Sequence, residues 1–257
     1  MTGGDGGSHY DAYLGRDTPS LILYTDGQLL IRGQRYRVQD WYVEKTLSSS
    51  EICALLGQIQ STGFFDVKGT GQDFPNDPIY QKKELLGAGG GGYIIMVNGK
   101  PSKWVFILWP ALDNVIPEVK AAYHLLNDYQ PHGIKPYVAD RLLLQIEHGP
   151  VPNLRSTPPP PQPWPPDLPS LAELFSQQTD GLYVDAQAQS RQVQITGEVA
   201  KRLLKYVPNA PSSGIFVEGS DSYFVNVRPL LPHETTDYYS IYPWASSSPD
   251  LPFQCSH

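Results

Sequence analysis

The stretch nearest to a hydrolase signature is His-Glu-Thr-Thr-Asp, from His233 to Asp237. A zinc hydrolase helix carries two histidines four residues apart with a glutamate acting as base. Here the fourth residue after His233 is Asp237, and the preceding Pro-Leu-Leu-Pro opposes a helix, so a solvated turn is expected. Gly87 to Gly92 (GAGGGG) has the composition of a phosphate loop, but no lysine and no helix start follow it. A loop leading into a strand is the expectation there. Asp73, Asn76 and Asp77 could offer oxygens to a hard cation such as calcium. Asp and Asn ahead of proline also build turns, and the turn is the expected role. Cys53 falls beside an apolar helical stripe, where a buried thiol is expected rather than a nucleophile. His124 is expected as a surface or core-edge residue of a helix. No G-x-S-x-G elbow is present. The chain therefore reads as non-enzymatic, with no catalytic residue, no cofactor and no metal expected.

Aromatic residues offer a different chemistry. Tyr238, Tyr239, Tyr242 and Trp244 concentrate amphipathic rings near the C-terminus, the residue types enriched where proteins grip one another. They are the expected partner-binding residues. Trp41, Tyr42, Trp104, Trp109, Trp164 and Trp244 could also stack on sugar rings, although core packing is the expected role of most of them. A glycan-binding module of the cell envelope is thus the alternative function, and an uncharacterised hydrolase using scattered carboxylates the second alternative.

The whole-chain properties narrow the partner. A formal charge of -7 and only 19 Lys and Arg among 257 residues argue against nucleic acid, whose affinity comes from basic side chains displacing counterions. No apolar run approaches the length of a membrane span. The Gly-rich start from Met1 to His9 lacks a basic segment followed by an apolar one. Such a start also remains when an export or lipoprotein signal is replaced by an initiator Met, so a lipid anchor in a native precursor is compatible with it. Two cysteines, Cys53 and Cys255, are too few for a disulfide scaffold or a structural zinc site. In an exported protein they could pair once and tether the C-terminus.

With 25 Pro, 23 Gly and 16 Tyr, short elements and abundant β-structure are expected. Asp26-Gly27 between two apolar runs predicts a hairpin with a two-residue turn, and the alternation from Arg35 to Thr46 a third strand. Ser48 and Glu51 make a capping box ahead of Ile52, Leu55, Leu56 and Ile59, with Gly63 as the stop. Asn98-Gly99 predicts a second hairpin turn. Leu112, Val115, Ile116, Val119, Tyr123 and Leu126 follow at helical spacing, with Pro117 inside the first turn. A strand over 137–149 is expected to close this sheet. The expected fold is α+β, an antiparallel sheet with two helices packed on one side, followed by a smaller α+β domain after a Pro-rich linker.

That linker, 150–170, is read as a polyproline spacer. Arg155, Pro158 and Pro161 have the spacing recognised by aromatic-grooved domains, which proline-rich spacers also produce by chance. Beyond it, Ser170 and Glu173 cap a short helix with Leu171, Leu174 and Phe175. A strand ends near Thr196, which can cap a helix bearing Val199, Ala200, Leu203, Leu204 and Val207 on one face. A hairpin then turns near Gly219-Ser220. The expected division is a flexible segment 1–18, an α+β domain 19–149, the linker 150–170, a small α+β domain 171–232 and a tail 233–257.

The succession Asp26-Gly27, Leu47-Ser48 with Glu51, Leu55-Leu56, Gly63-Phe64-Phe65, Asp77-Pro78 and Val97-Asn98-Gly99-Lys100 resembles a bacterial domain family of unknown function, common in secreted proteins and lipoproteins. The resemblance covers about residues 19–130. It implies an α+β domain outside the cytoplasm with no known activity. Members often carry cysteines before the first hairpin, where this chain has Gly-Arg-Asp-Thr-Pro-Ser. Taken together, the expectation is an extracytoplasmic structural or protein-binding module, secreted or surface-anchored, whose partner is another envelope or extracellular protein. A cytoplasmic location is the alternative.

Overall fold

The structure is a computed structural model and describes residues 20–33, 42–71, 76–81, 92–97, 103–108, 111–149, 160–177, 184–185, 190–207, 212–232, 234 and 255. The fold is α+β. Its strands are β1 (Leu21–Leu23), β2 (Gln28–Arg32), β3 (Tyr42–Thr46), β4 (Gly92–Val97), β5 (Lys103–Leu108), β6 (Lys135–Pro136), β7 (Arg141–His148), β8 (Gln162–Pro163), β9 (Val184–Asp185), β10 (Ser190–Thr196), β11 (Ser212–Glu218) and β12 (Asp221–Pro229). The helices are α1 (Ser49–Ser61), α2 (Pro117–Asp128), α3 (Leu171–Ser176) and α4 (Gly197–Tyr206). The strands form three sheets, of order β1-β2-β3-β6, β4-β5 and β8-β11-β12-β7-β10-β9.

Two compact units result. Of the described residues, those within 20–30 and 44–135 together with Cys255 fall in one, and those within 31–43 and 136–234 in the other.

In the first unit, α1 starts where the capping box predicts. Ser48 Oγ accepts from the Glu51 amide, and the Ser48 amide donates 2.8 Å to Glu51 Oε2. Gly63, at φ 79°, follows the C-cap. Ile52, Leu55 and Ile59 are buried as expected, whereas Leu56 is only half-buried. The core joins Leu55 and Ile59 to Phe64, Ile79, Ile95, Val105, Ile107, Val115 and Val119. Pro117 stands at the first position of α2, where a missing amide costs nothing.

The hairpin turns differ from the expectation in length. The Tyr24 amide donates to Gln28 O and the Gly27 amide to Tyr24 O, so the loop holds three residues with Gly27 in the bulge position at φ 86°. A Cβ there would stand 2.6 Å from Leu47 O, so glycine is required twice over. Strands β4 and β5 pair from Gly92↔Leu108 to Val97↔Lys103, and the expected turn at Asn98-Gly99 lies outside the described residues. Of the expected third strand, Tyr42–Thr46 is a strand, and 35–41 lie outside the described residues.

The largest correction concerns β7. Expected to close the first sheet, it instead pairs antiparallel with β10 on one side and β12 on the other. Its residues 142 to 147 are all buried, which suits a central strand covered on both faces. Leu142, Leu144 and Ile146 join Val193, Ile195, Val225 and Val227 on one face, under Leu171, Leu174, Ala200 and Leu203 of α3 and α4. The Ser170 cap of α3 accepts from the Glu173 amide as expected, but Thr196 makes no side-chain cap bond to α4. The β11–β12 turn falls at Gly219-Ser220, between paired Glu218 and Asp221.

The second half of the expected spacer is part of this unit. β8 pairs parallel with β11, and the Trp164 amide donates to Val217 O. Trp164 packs edge-on against Phe216 with centroids 5.1 Å apart, and its Nε1 donates 2.8 Å to Pro169 O. Prolines leave an outer strand tolerable because its outward side needs no donors, and Trp164 and Leu168 supply the apolar anchors. Residues 150–159, with Arg155 and Pro158, lie outside the described residues.

Candidate functional site

The described residues that bear on the expected sites gather in two places, a loop around Asp77 and a turn around Glu234. Asp77 is buried, and both of its oxygens accept backbone amides. Oδ2 takes those of Thr70 at 3.1 Å and Gly71 at 2.7 Å, and Oδ1 that of Ile79 at 3.1 Å. A carboxylate ringed by donors is an anion in a backbone nest, the reverse of a cation cradle. Gly71 must be glycine in this loop, since at φ 79° a Cβ would meet Phe106 O and Ile79 Cδ1. Lys103 Nζ closes the neighbourhood by donating to Val67 O and Gly69 O. Asp73 lies outside the described residues, and among those described no group of three His, Cys, Asp or Glu is placed to hold a metal ion.

Glu234 corrects a second expectation. Read as part of a solvated turn, it is 1% exposed. Its Oε2 accepts 2.8 Å from Arg228 Nη1 and 2.7 Å from the Leu231 amide. Arg141 encloses the same turn, donating from Nη1 to Glu234 O and from Nη2 to Leu231 O and Pro232 O. Two guanidiniums thus fix the backbone from 231 to 234, one through its carbonyls and one through the carboxylate. The bonds from Arg228 and from the Leu231 amide both fall on Glu234 Oε2. His233 and Asp237 lie outside the described residues.

Sequence reasoning missed this clamp because Arg141 and Arg228 sit in strands separated by most of the second unit's chain. The register puts Arg228 opposite Leu143 on one sheet face, in line with the buried Asn226 and Gln145 two residues on. The signal was an arginine within the apolar run of β12, since a buried guanidinium demands a carboxylate.

Cys53 is neither a nucleophile nor a buried thiol. It is bridged to Cys255, with the Cα atoms 5.4 Å apart and 202 positions between them in sequence. Both cysteines are half-buried. His124 is exposed on α2, edge-on to Tyr123 at 5.5 Å.

Of the aromatic candidates for sugar stacking, Trp164 and Tyr42 are core residues at 7% and 1% exposure. Trp104 on β5 is half-buried. Trp41, Trp109 and the four expected partner-binding residues, Tyr238, Tyr239, Tyr242 and Trp244, lie outside the described residues, as do Gly87 to Gly91. Of the tail, the structure describes Glu234, within the arginine clamp, and Cys255, within its disulfide.

Among the described residues no helix is long and apolar enough to cross a membrane. No protein-family model, curated protein or solved structure matches the chain.

Proposed function

We propose that the chain is a non-enzymatic, extracytoplasmic structural or protein-binding module, whose partner is another envelope or extracellular protein. The observation that carries this reading is the Cys53–Cys255 bridge, because such bonds persist in oxidising compartments and are rare where thiols are kept reduced.

Within this reading, Tyr238, Tyr239, Tyr242 and Trp244 contact the partner. Their segment starts at the fixed turn of Glu234 and ends at a bridged cysteine.

The test is a variant with all four residues changed to alanine and Glu234, Cys53 and Cys255 retained. Crosslinking in the native envelope followed by affinity capture should lose the partner while the melting temperature stays near that of the parent. Undiminished capture would refute the aromatic contact. A chain whose cysteines are recovered fully reduced from its native compartment would refute the location.

A further inference from the structure

Apart from the β4–β5 pair, the described sheets end on short strands. The outer strands of the four- and six-stranded sheets, β1, β6, β8 and β9, are two or three residues long, and β6 and β8 carry proline. In the two-stranded sheet β4 runs for six residues, Gly-Tyr-Ile-Ile-Met-Val, with neither charge nor proline. Short edges, prolines and charges are the devices that keep a sheet from pairing with another chain. Strand β5 has its outer edge closed: the Phe106 amide donates to Thr70 O, and Phe106 O accepts from the Tyr80 hydroxyl. Those groups point away from β4, so Ile94, the residue opposite Phe106, points its own amide and carbonyl away from β5. By alternation Gly92 and Met96 do the same. Among the described residues no group takes up these outward bonds.

The side chains suit the same edge. Ile95, Val105 and Ile107 face the core, and Tyr93 packs against Tyr123 of α2 with centroids 4.7 Å apart. On the other face Ile94 stands opposite Phe106 and Met96 opposite Trp104. Ile94 is 43% exposed and the other three are half-buried, so the sheet has an apolar outer face as well as an open edge. The sole charge in the two strands is Lys103, whose Nζ is bonded to Val67 O and Gly69 O. In a chain of net charge -7, a second copy therefore meets no like charge along β4 itself. We propose that β4 pairs antiparallel with β4 of a second copy, joining two hairpins into a four-stranded sheet around a two-fold axis. Such a contact requires an edge that is its own complement. The register that uses every outward position sets Ile94 against Ile94 and Gly92 against Met96, and it keeps both core faces on one side of the sheet.

The experiment is sedimentation equilibrium on the purified full chain with its disulfide intact and no other protein present. The parent should populate a reversible dimer, and hydrogen exchange at the Ile94 and Met96 amides should slow as the chain concentration rises. Ile94→Lys and Ile94→Glu each place like charges at the axis, and each should be monomeric where the parent is dimeric. Mixed in equal amounts they should restore the dimer, because opposite charges then face each other. Ile94→Pro removes an outward amide but no β4–β5 bond, and should also be monomeric with the parent's far-ultraviolet spectrum. The pairing is overturned by a parent that stays monomeric, by a dimer that survives all three substitutions, or by a Lys and Glu mixture that stays monomeric. It is also overturned if the β4 amides gain protection only with a foreign chain, which would assign the edge to that chain. No readout uses the tail residues or an envelope partner, so failure of the partner assay leaves them standing.

Discussion

Asp77 and Glu234 are both buried carboxylates in short segments bounded by proline, yet their charge is held in different ways. Asp77 accepts three backbone amides, all within seven residues of it. Glu234 accepts one nearby amide and the guanidinium of Arg228, which lies in a central strand and is itself 2% exposed. The first arrangement organises one loop. The second joins a turn to a sheet through a buried ion pair, and so leaves a charge behind when either partner is removed.

The largest effect is expected at Glu234. Glu234→Ala strands a buried guanidinium and should cost about 3 to 5 kcal/mol, read from urea unfolding at neutral pH. Arg228→Met combined with Glu234→Leu removes both charges and should recover most of that loss, because well-packed apolar residues of similar volume replace a buried pair at little cost. A double variant as unstable as the single one would break the comparison, making the Leu231 amide the important partner.

At Asp77 the expected loss is smaller. Asp77→Ala leaves three backbone donors without their acceptor, two of them in a tight loop, and should cost about 2 to 3 kcal/mol. Asp77→Asn keeps one carbonyl oxygen but turns an amide donor toward the others, and should fall between parent and alanine variant. An asparagine variant equal to the parent would show that the full charge is not used. Because the amides already occupy both oxygens, excess chelator should leave the melting temperature unchanged. A fall of several degrees would reinstate a cation at this loop.

The smallest effect concerns an exposed carboxylate that sharpens the contrast with the buried two. The hydrogen bond from Lys45, then the backbone and side-chain hydrogen bonds of Ser48, hold the Glu51 carboxyl down at about 2 from an ordinary 4.5. With the folded-state value lowered, the unfolded chain takes up the proton first as the pH falls. Glu51 therefore stabilises fully above pH 4.5 and loses that contribution as the pH drops towards 2. Its side chain is 41% exposed, so solvent screens the interaction and the change is slight. Melting temperatures of the parent and Glu51→Gln, taken from neutral pH to pH 2, should converge at the acid end.

The local elements were legible in residue types alone. Ser48 and Glu51 cap α1, Ser170 caps α3 and Gly219-Ser220 turns the last hairpin, each through bonds that span three or four residues, and Pro117 opens α2 where no amide donor is needed. So was the α+β class, which follows from their order. Tertiary structure decided what long-range pairing decides. An apolar strand such as β7 fits the centre of any sheet, and its choice of β10 and β12 depends on matching buried faces of strands remote in sequence. Trp164 could be named among the aromatic residues from sequence, but not its partner Phe216, which is remote along the chain. Glu234 read as solvated because its neighbours in sequence are polar, while Arg228 and Arg141 approach it from two strands. The Cys53–Cys255 bridge needs two Cα atoms within about 7 Å, a distance no spacing of 202 residues can announce. Short-range hydrogen bonds are written in the order of residues, whereas burial and charge pairing are properties of the packed chain.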